Sequence, residues 1–194
     1  MTELNHRRLS LSTGIEMDAF TAGDPANPAI IFLHGFPESH RTWRHQIAHF
    51  ADRFYCIAPD QRGYRGTSKP QAVDGYTADK LTADIFALAD ALHVQQFIIA
   101  GHDWGGAIAW SVALNGQAGA LNPAWAGRVP RAIIANAGSP AHILITTDGG
   151  KNWKKLSKED GMPDGQRGRI GVAFSRSMPS RVYAKIEATK NGFY

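Results

Sequence analysis

One carboxylate in this 194-residue sequence stands where it could act as a nucleophile. Asp103 is the centre of Gly101-His102-Asp103-Trp104-Gly105-Gly106. The motif follows the apolar run Phe97-Ile98-Ile99-Ala100 and opens a stretch of helical spacing from Gly105 to about Leu114. A chain that passes from strand to helix this abruptly holds the central residue in a strained backbone region. Small residues two before and two after it, Gly101 and Gly105, keep the turn free of clashes. The central side chain then projects above the C-terminal edge of a parallel sheet, and the helix N-terminus beneath it favours an anion. A carboxylate so placed can displace a leaving group at saturated carbon and form an ester, which water must cleave with the help of a general base, normally His. The chemistry indicated is the opening of an epoxide or the cleavage of a carbon–halogen bond, more than ester hydrolysis. Taken alone, the motif also fits an ordinary tight turn between a strand and a helix.

Two further motifs stand at strand ends. His34-Gly35-Phe36-Pro37 follows the apolar run Ala29-Ile30-Ile31-Phe32-Leu33, and a tight loop there can aim the Phe36 N–H at the nucleophile's oxygen. With the Trp104 N–H it would form an oxyanion hole. Asp60-Gln61-Arg62-Gly63-Tyr64-Arg65-Gly66-Thr67-Ser68-Lys69-Pro70 follows a second apolar run, Phe54–Ala58. A polar, Gly-rich loop of this kind holds the top of a sheet through backbone and side-chain hydrogen bonds, a structural role.

The elements that must carry these loops are legible in the periodicity. Leu9–Ser12 and Ile15–Phe20 suit an opening hairpin around Gly14. The continuous apolar runs at 29–33, 54–58 and 97–100 suit strands buried on both faces, and Arg131–Asn136 suits a fourth strand. Between them, residues 38–50 place Trp43, Ile47 and Phe50 on one helical side. Leu81, Ile85, Leu88 and Leu92 mark a second helix, with Thr77 as its N-cap. Strands alternating with helices predict a mostly parallel sheet wound by right-handed crossovers, an α/β fold.

Together, His34-Gly35-Phe36-Pro37-Glu38-Ser39, Asp60-Gln61-Arg62-Gly63-Tyr64 and Gly101-His102-Asp103-Trp104-Gly105-Gly106 resemble the epoxide hydrolase and haloalkane dehalogenase branch of the α/β-hydrolase superfamily, over about residues 9–140. The resemblance implies a hydrolase acting on epoxides, haloalkanes or related small substrates through an alkyl-enzyme ester, without a cofactor or metal. It implies Asp103 as nucleophile and the Phe36 and Trp104 amides as oxyanion hole. His34, Gly35, Pro37, Gly101, Gly105 and Gly106 support them. In dehalogenase-like members the Trp104 indole would also bind the leaving halide. Two features depart from the family pattern: Arg65 replaces a small residue, often Gly, and Gly116–Trp125 reads as an insertion.

In that family the general base His, its acidic partner and a helical cap lie further downstream, so the catalytic set is expected to be incomplete in this chain, a truncated core. The only histidine after Asp103 is His142, which stands where the family's chain leaves for the cap and is not expected to be the base. His45 and His49 are spaced for a metal on one helix face, but no carboxylate or Cys completes a set, and a solvated face is expected. An esterase or lactonase using the same pocket is the alternative within enzymes. A non-catalytic chain with a binding or self-associating β tail is the alternative outside them.

After about Pro140 the texture changes to Gly-rich turns and short apolar pieces at 143–145, 170–174 and 181–186, which predicts antiparallel β structure and a boundary near Ala141-His142: a partial core over 1–141 and a β-rich tail over 142–194. Thr146, Asp148, Gly150 and Trp153 resemble an Asp-box, the turn motif of sialidase-like and sortilin-like β-propellers, though Asn152 replaces the usual Thr. Such a tail would lay its strands on the open edge of the sheet or pair with a second copy of the chain, making a homo-oligomer. The net charge of +4 is concentrated there: from His142 onward ten Lys/Arg face five Asp/Glu. They are scattered singly, so a solvated surface is expected rather than a nucleic-acid or membrane partner. Neither a signal peptide nor an apolar span is apparent, and a cytoplasmic address is expected. Cys56, the only cysteine, sits in an apolar run and excludes an intrachain disulfide.

Overall fold

The computed structural model describes residues 3–135, 143–146, 152, 154–160, 167–174, 182–188 and 192–193. The opening hairpin forms as expected, β1 (Asn5–Ser10) pairing antiparallel with β2 (Glu16–Ala22). The apolar runs become β3 (Ala29–Leu33), β4 (Tyr55–Pro59), β5 (Phe97–His102) and β6 (Arg131–Ala135). Every residue of β3 and β4 is buried, which is why these strands show no polar alternation.

Strand order is β1-β2-β4-β3-β5-β6, with β4, β3, β5 and β6 mutually parallel. The chain leaves β3 to build β4 on one side and then crosses back to build β5 on the other. Order therefore reverses at β3, and the loops after β3 and β5 diverge at their C-terminal ends. That crevice is where open α/β sheets bind ligands, and the Gly35–Pro37 and Asp103 turns flank it.

Helices cover both faces. The 38–50 segment divides into a 3-10 turn (His40–Trp43), capped by the Ser39 hydroxyl, and α1 (Arg44–Phe50). Trp43, Ile47 and Phe50 pack on Ile30, Phe32, Cys56 and Ala58. On the opposite face α2 (Ala78–Ala91) and α3 (Asp103–Ala118) bury Leu81, Ile85, Leu88, Ile108 and Val112 against Ile31, Leu33, Ile57 and Ile99. Thr77 does occupy the N-cap of α2, but its side chain bonds the Asp79 carboxylate and makes no cap bond to the helix backbone. In the 116–125 stretch α3 runs through the first residues, Gly119 ends the helix in the left-handed region, residues 120–124 are exposed, and Trp125 returns to stack on Phe86 at 4.3 Å.

The tail adds antiparallel strands. β7 (Ile143–Thr146) pairs with β6 and β8 (Lys154–Lys155) pairs with β7, extending the sheet to eight strands. β9 (Arg167–Phe174), β10 (Val182–Ala188) and β11 (Gly192–Phe193) form a second, antiparallel sheet. Asp148, Gly150 and Trp153 of the Asp-box-like stretch, the 141–142 junction and His142 lie outside the described residues. Among the described residues no helix is long and apolar enough to cross a membrane.

Candidate active site

Asp103 is the first residue of α3 and has φ +53, one of three non-glycine residues with positive φ among the described residues. This is the strained turn that the Gly-x-Asp-x-Gly pattern predicts. Its tightness is visible at the glycines. A Cβ on Gly105 would stand 2.3 Å from the Leu33 carbonyl oxygen and 2.4 Å from that of His34, and one on Gly35 would stand 2.6 Å from the Asp103 Cβ. Helix α3 therefore lies directly against the end of β3, and only hydrogen fits between them. Gly101 and Gly106 are buried in the same junction. A Gly105→Ala substitution meets rigid backbone, so it is expected to destabilise the fold by about 2–3 kcal/mol, read as a lowered thermal midpoint. An unchanged midpoint would contradict this packing.

The β3 loop completes the turn. The Phe36 N–H donates to Asp103 Oδ1 at 2.9 Å, and the Phe36–Pro37 peptide is cis. One carboxylate oxygen is thus held by a backbone donor. Trp104 follows as the second residue of α3, where a helix's leading N–H groups have no partner inside the helix. The Phe36 and Trp104 side chains are 71% and 55% exposed, so the mouth of the crevice is lined by open aromatic surface.

His34 lies beneath this loop, fully buried. Its Nε2 accepts the Gln61 backbone N–H at 3.1 Å and its Nδ1 donates to the Gly35 carbonyl at 2.9 Å. Because an amide N–H can only donate, the ring must be neutral with its proton on Nδ1. Burial also pushes its pKa below the ordinary value. A histidine whose pKa is depressed by folding supports stability fully above its unfolded pKa, and that support is lost as pH falls through the depressed value. The thermal midpoint is therefore expected to begin falling below about pH 6.5, before the carboxylates titrate. A His34→Gln variant should lack that first limb; a variant that keeps it would contradict the assignment.

Several residues near Asp103 were not singled out by the motifs. Glu38 accepts the Gly35 N–H at 2.9 Å and lies 2.8 Å from His102 Nε2, at ion-pair distance without hydrogen-bond alignment. Tyr64 packs edge-on against His34. Burial raises the Tyr64 pKa, and the negative charges of Asp103 and Glu38 raise it further, so the phenol stays protonated. The 60–70 loop is structural, as its composition suggests, but it also delivers Tyr64 and Arg65 to the site. Burial of Asp60 opposes its ionisation, yet hydrogen bonds from the His40 ring and backbone N–H outweigh that and hold its pKa low. Among the described residues no group of three or more metal-ligating side chains occurs. The Cys56 thiol is pushed up to about 12 by burial and is no nucleophile.

Comparison with known proteins agrees with this geometry. The family model described as alpha/beta hydrolase fold matches residues 28–163. Epoxide hydrolase A of Mycobacterium tuberculosis is 42% identical over 108 residues, which is 55% of this chain and 34% of that protein. The AB hydrolase superfamily protein YfhM of Bacillus subtilis is 44% identical over 103 residues, 53% of this chain and 36% of that one. Among solved structures, one of novel epoxide hydrolases in metagenomes from hot environments superposes with a TM-score of 0.62 at 61% identity, covering 72% of this chain and 44% of that chain. Epoxide hydrolase A from Mycobacterium thermoresistibile superposes with a TM-score of 0.61 at 34% identity, covering 71% and 40%. The chain thus spans about a third of the length of the curated relatives it matches. With a family match over most of its length, and with the strand order, the strained Asp103 turn and the β3 loop described above, the chain belongs to the α/β hydrolase fold family.

Proposed function

We propose that this chain carries the nucleophilic half of an epoxide-opening hydrolase site, in which Asp103 forms an ester with the substrate. The observation that carries the reading is the left-handed Asp103 backbone, at the edge of the crevice, with Oδ1 fixed by the Phe36 N–H. Oδ2 attacks a ring carbon of the epoxide. The C–O bond of the ring breaks, and the released oxygen takes a proton from water. The held oxygen becomes the ester carbonyl, and the Phe36 and Trp104 amides would stabilise the charge on it during hydrolysis. Small-molecule epoxides are favoured over haloalkanes because several of the similar proteins are named epoxide hydrolases.

Hydrolysis of that ester needs a base to activate water. Both ring nitrogens of His34 are occupied, and His102 is held at Glu38. The 194-residue chain is therefore expected to be alkylated once and to release product slowly. Intact-mass measurement after incubation with styrene oxide should find one adduct equal in mass to the whole epoxide, mapped to Asp103. Rapid multiple turnover, or alkylation elsewhere only, would overturn the proposal.

A further inference from the structure

The loops after β3 and β4 enclose a second feature beside the nucleophile, an open cleft of about 450 Å³ whose walls include Pro37, Glu38, Tyr64 and three arginines, Arg41, Arg44 and Arg65. We propose that this cleft is an anion subsite, so that the preferred substrates are epoxides bearing a carboxylate or phosphate group. The inference rests on Asp103 being the nucleophile and adds the charge of what it attacks.

Three independent observations support it. The first is charge: three arginines line the cleft against one carboxylate, Glu38, which already accepts the Gly35 N–H and lies beside His102. Asp60 lies beneath Arg65, 3.5 Å from its Nε, but is buried and bonded to His40. The second is backbone: Arg65 has φ +46, a conformation that glycine adopts without penalty and a long side chain does not. The strain is retained at a position whose side chain reaches the cleft wall, and strain of this kind collects where a side chain has work to do. The third is position: Pro37 and Glu38 continue directly from Phe36, whose N–H holds Asp103, and Tyr64 is close enough to feel the Asp103 charge. Guanidinium groups bind carboxylate and phosphate oxygens in pairs of parallel hydrogen bonds, and the Tyr64 ring offers an aromatic wall for the body of the ligand. The Arg41 side chain makes no ion pair among the described residues, and Arg44 spends one nitrogen on the Arg41 carbonyl, leaving donors for a ligand.

The test compares para-glycidyloxybenzoate with its primary amide, which differ only in charge. The rate of ester formation on the full chain is followed by intact mass. The carboxylate should react about tenfold faster than the amide, as expected for several exposed ion pairs acting together, and about 0.5 M NaCl should erase the preference. An Arg41→Gln/Arg44→Gln/Arg65→Gly variant should bring the ratio close to one. Arg41→Gln alone, at an exposed position, should lower the ratio partially and serves if the triple variant does not fold. Equal rates for both probes on the unsubstituted chain, or a preference that survives the substitutions, would overturn the subsite. If neither probe alkylates Asp103, the nucleophile reading fails, and calorimetric binding of para-glycidyloxybenzoate still decides the subsite. Binding about tenfold weaker in the variant supports it, and binding equal to that of the amide overturns it.

Discussion

Replacing Asp103 with Asn is expected to abolish ester formation with an epoxide while leaving the fold intact. The two halves of that expectation rest on different physics. The turn holds residue 103 at φ +53, and Asn is among the few side chains that tolerate this region. The amide oxygen can still accept the Phe36 N–H that now bonds Oδ1, and the two side chains have nearly the same volume. Strain, hydrogen bond and packing are thus preserved, and the thermal midpoint should move by less than about 2 °C. The nucleophile is not preserved, because the attacking atom becomes an uncharged amide nitrogen whose lone pair is delocalised. Alkylation should slow by at least about a thousandfold, roughly 4 kcal/mol of barrier. The mass adduct seen with the unsubstituted chain should be missing over the same incubation. Persistence of the adduct at a different residue would assign the chemistry elsewhere, and a collapsed fold would mean that the carboxylate charge itself stabilises the turn. A chain that only binds or self-associates would be indifferent to the substitution, so the experiment also separates that reading from an enzymatic one.

The reason Asp103 could be read from sequence is that the elbow is a local device. Strand, small residue, Asp103, small residue and helix occur within about ten positions, and Gly105 must be small because it touches the Leu33 and His34 carbonyls. The buried strands were legible for a similar reason: a strand covered on both faces has no polar alternation, and Ala29–Leu33 has none. What lay beyond sequence was the pairing of distant loops. That Glu38 lies beside His102, or that Tyr64 abuts His34, depends on β4 being placed beside β3 and β5 on its other side. No spacing along the chain encodes those contacts. The 38–50 segment makes the same point on a smaller scale. Its helical periodicity is real, but Ser39 caps a 3-10 turn first, and α1 begins only at Arg44. The Thr77 hydroxyl went to Asp79, a competition between side chain and backbone acceptors that residue type alone does not decide. Arg65 is the opposite case. Its oddity was visible as a long side chain in a Gly-rich loop, but only its positive φ and its place at the cleft give that oddity a physical cost and a use.

The loop that carries Tyr64 and Arg65 is anchored by one buried ion pair, and Asp84→Ala is expected to be among the most destabilising single changes in the described core. Arg62 donates from Nε and Nη2 to the two oxygens of Asp84, both at 2.7 Å, and from Nη1 to the Gly75 carbonyl at 2.7 Å. Asp84 also accepts the Thr13 hydroxyl at 2.6 Å. The side chains of Arg62 and Asp84 are 6% and 2% exposed. The pair ties three segments together: the β4 loop, helix α2 and the opening hairpin. A bidentate pair this buried contributes less net stability than its geometry suggests, because desolvation offsets much of the attraction. Removing one partner is a different matter. It leaves a guanidinium buried with a single carbonyl acceptor, which costs about 3–5 kcal/mol, a fall in thermal midpoint on the order of 10 °C for a domain of this size. The double variant Arg62→Met/Asp84→Leu removes both charges and fills the space, so its loss should be clearly smaller than that of Asp84→Ala. If the double variant were as unstable as the single one, the pair would be holding the loop by directional bonds that apolar packing cannot replace, and Tyr64 and Arg65 would lose their placement with it. If the double variant recovers stability and still forms the Asp103 ester, the anchor is a matter of satisfying a buried charge, and the chemistry depends only on the loop being closed.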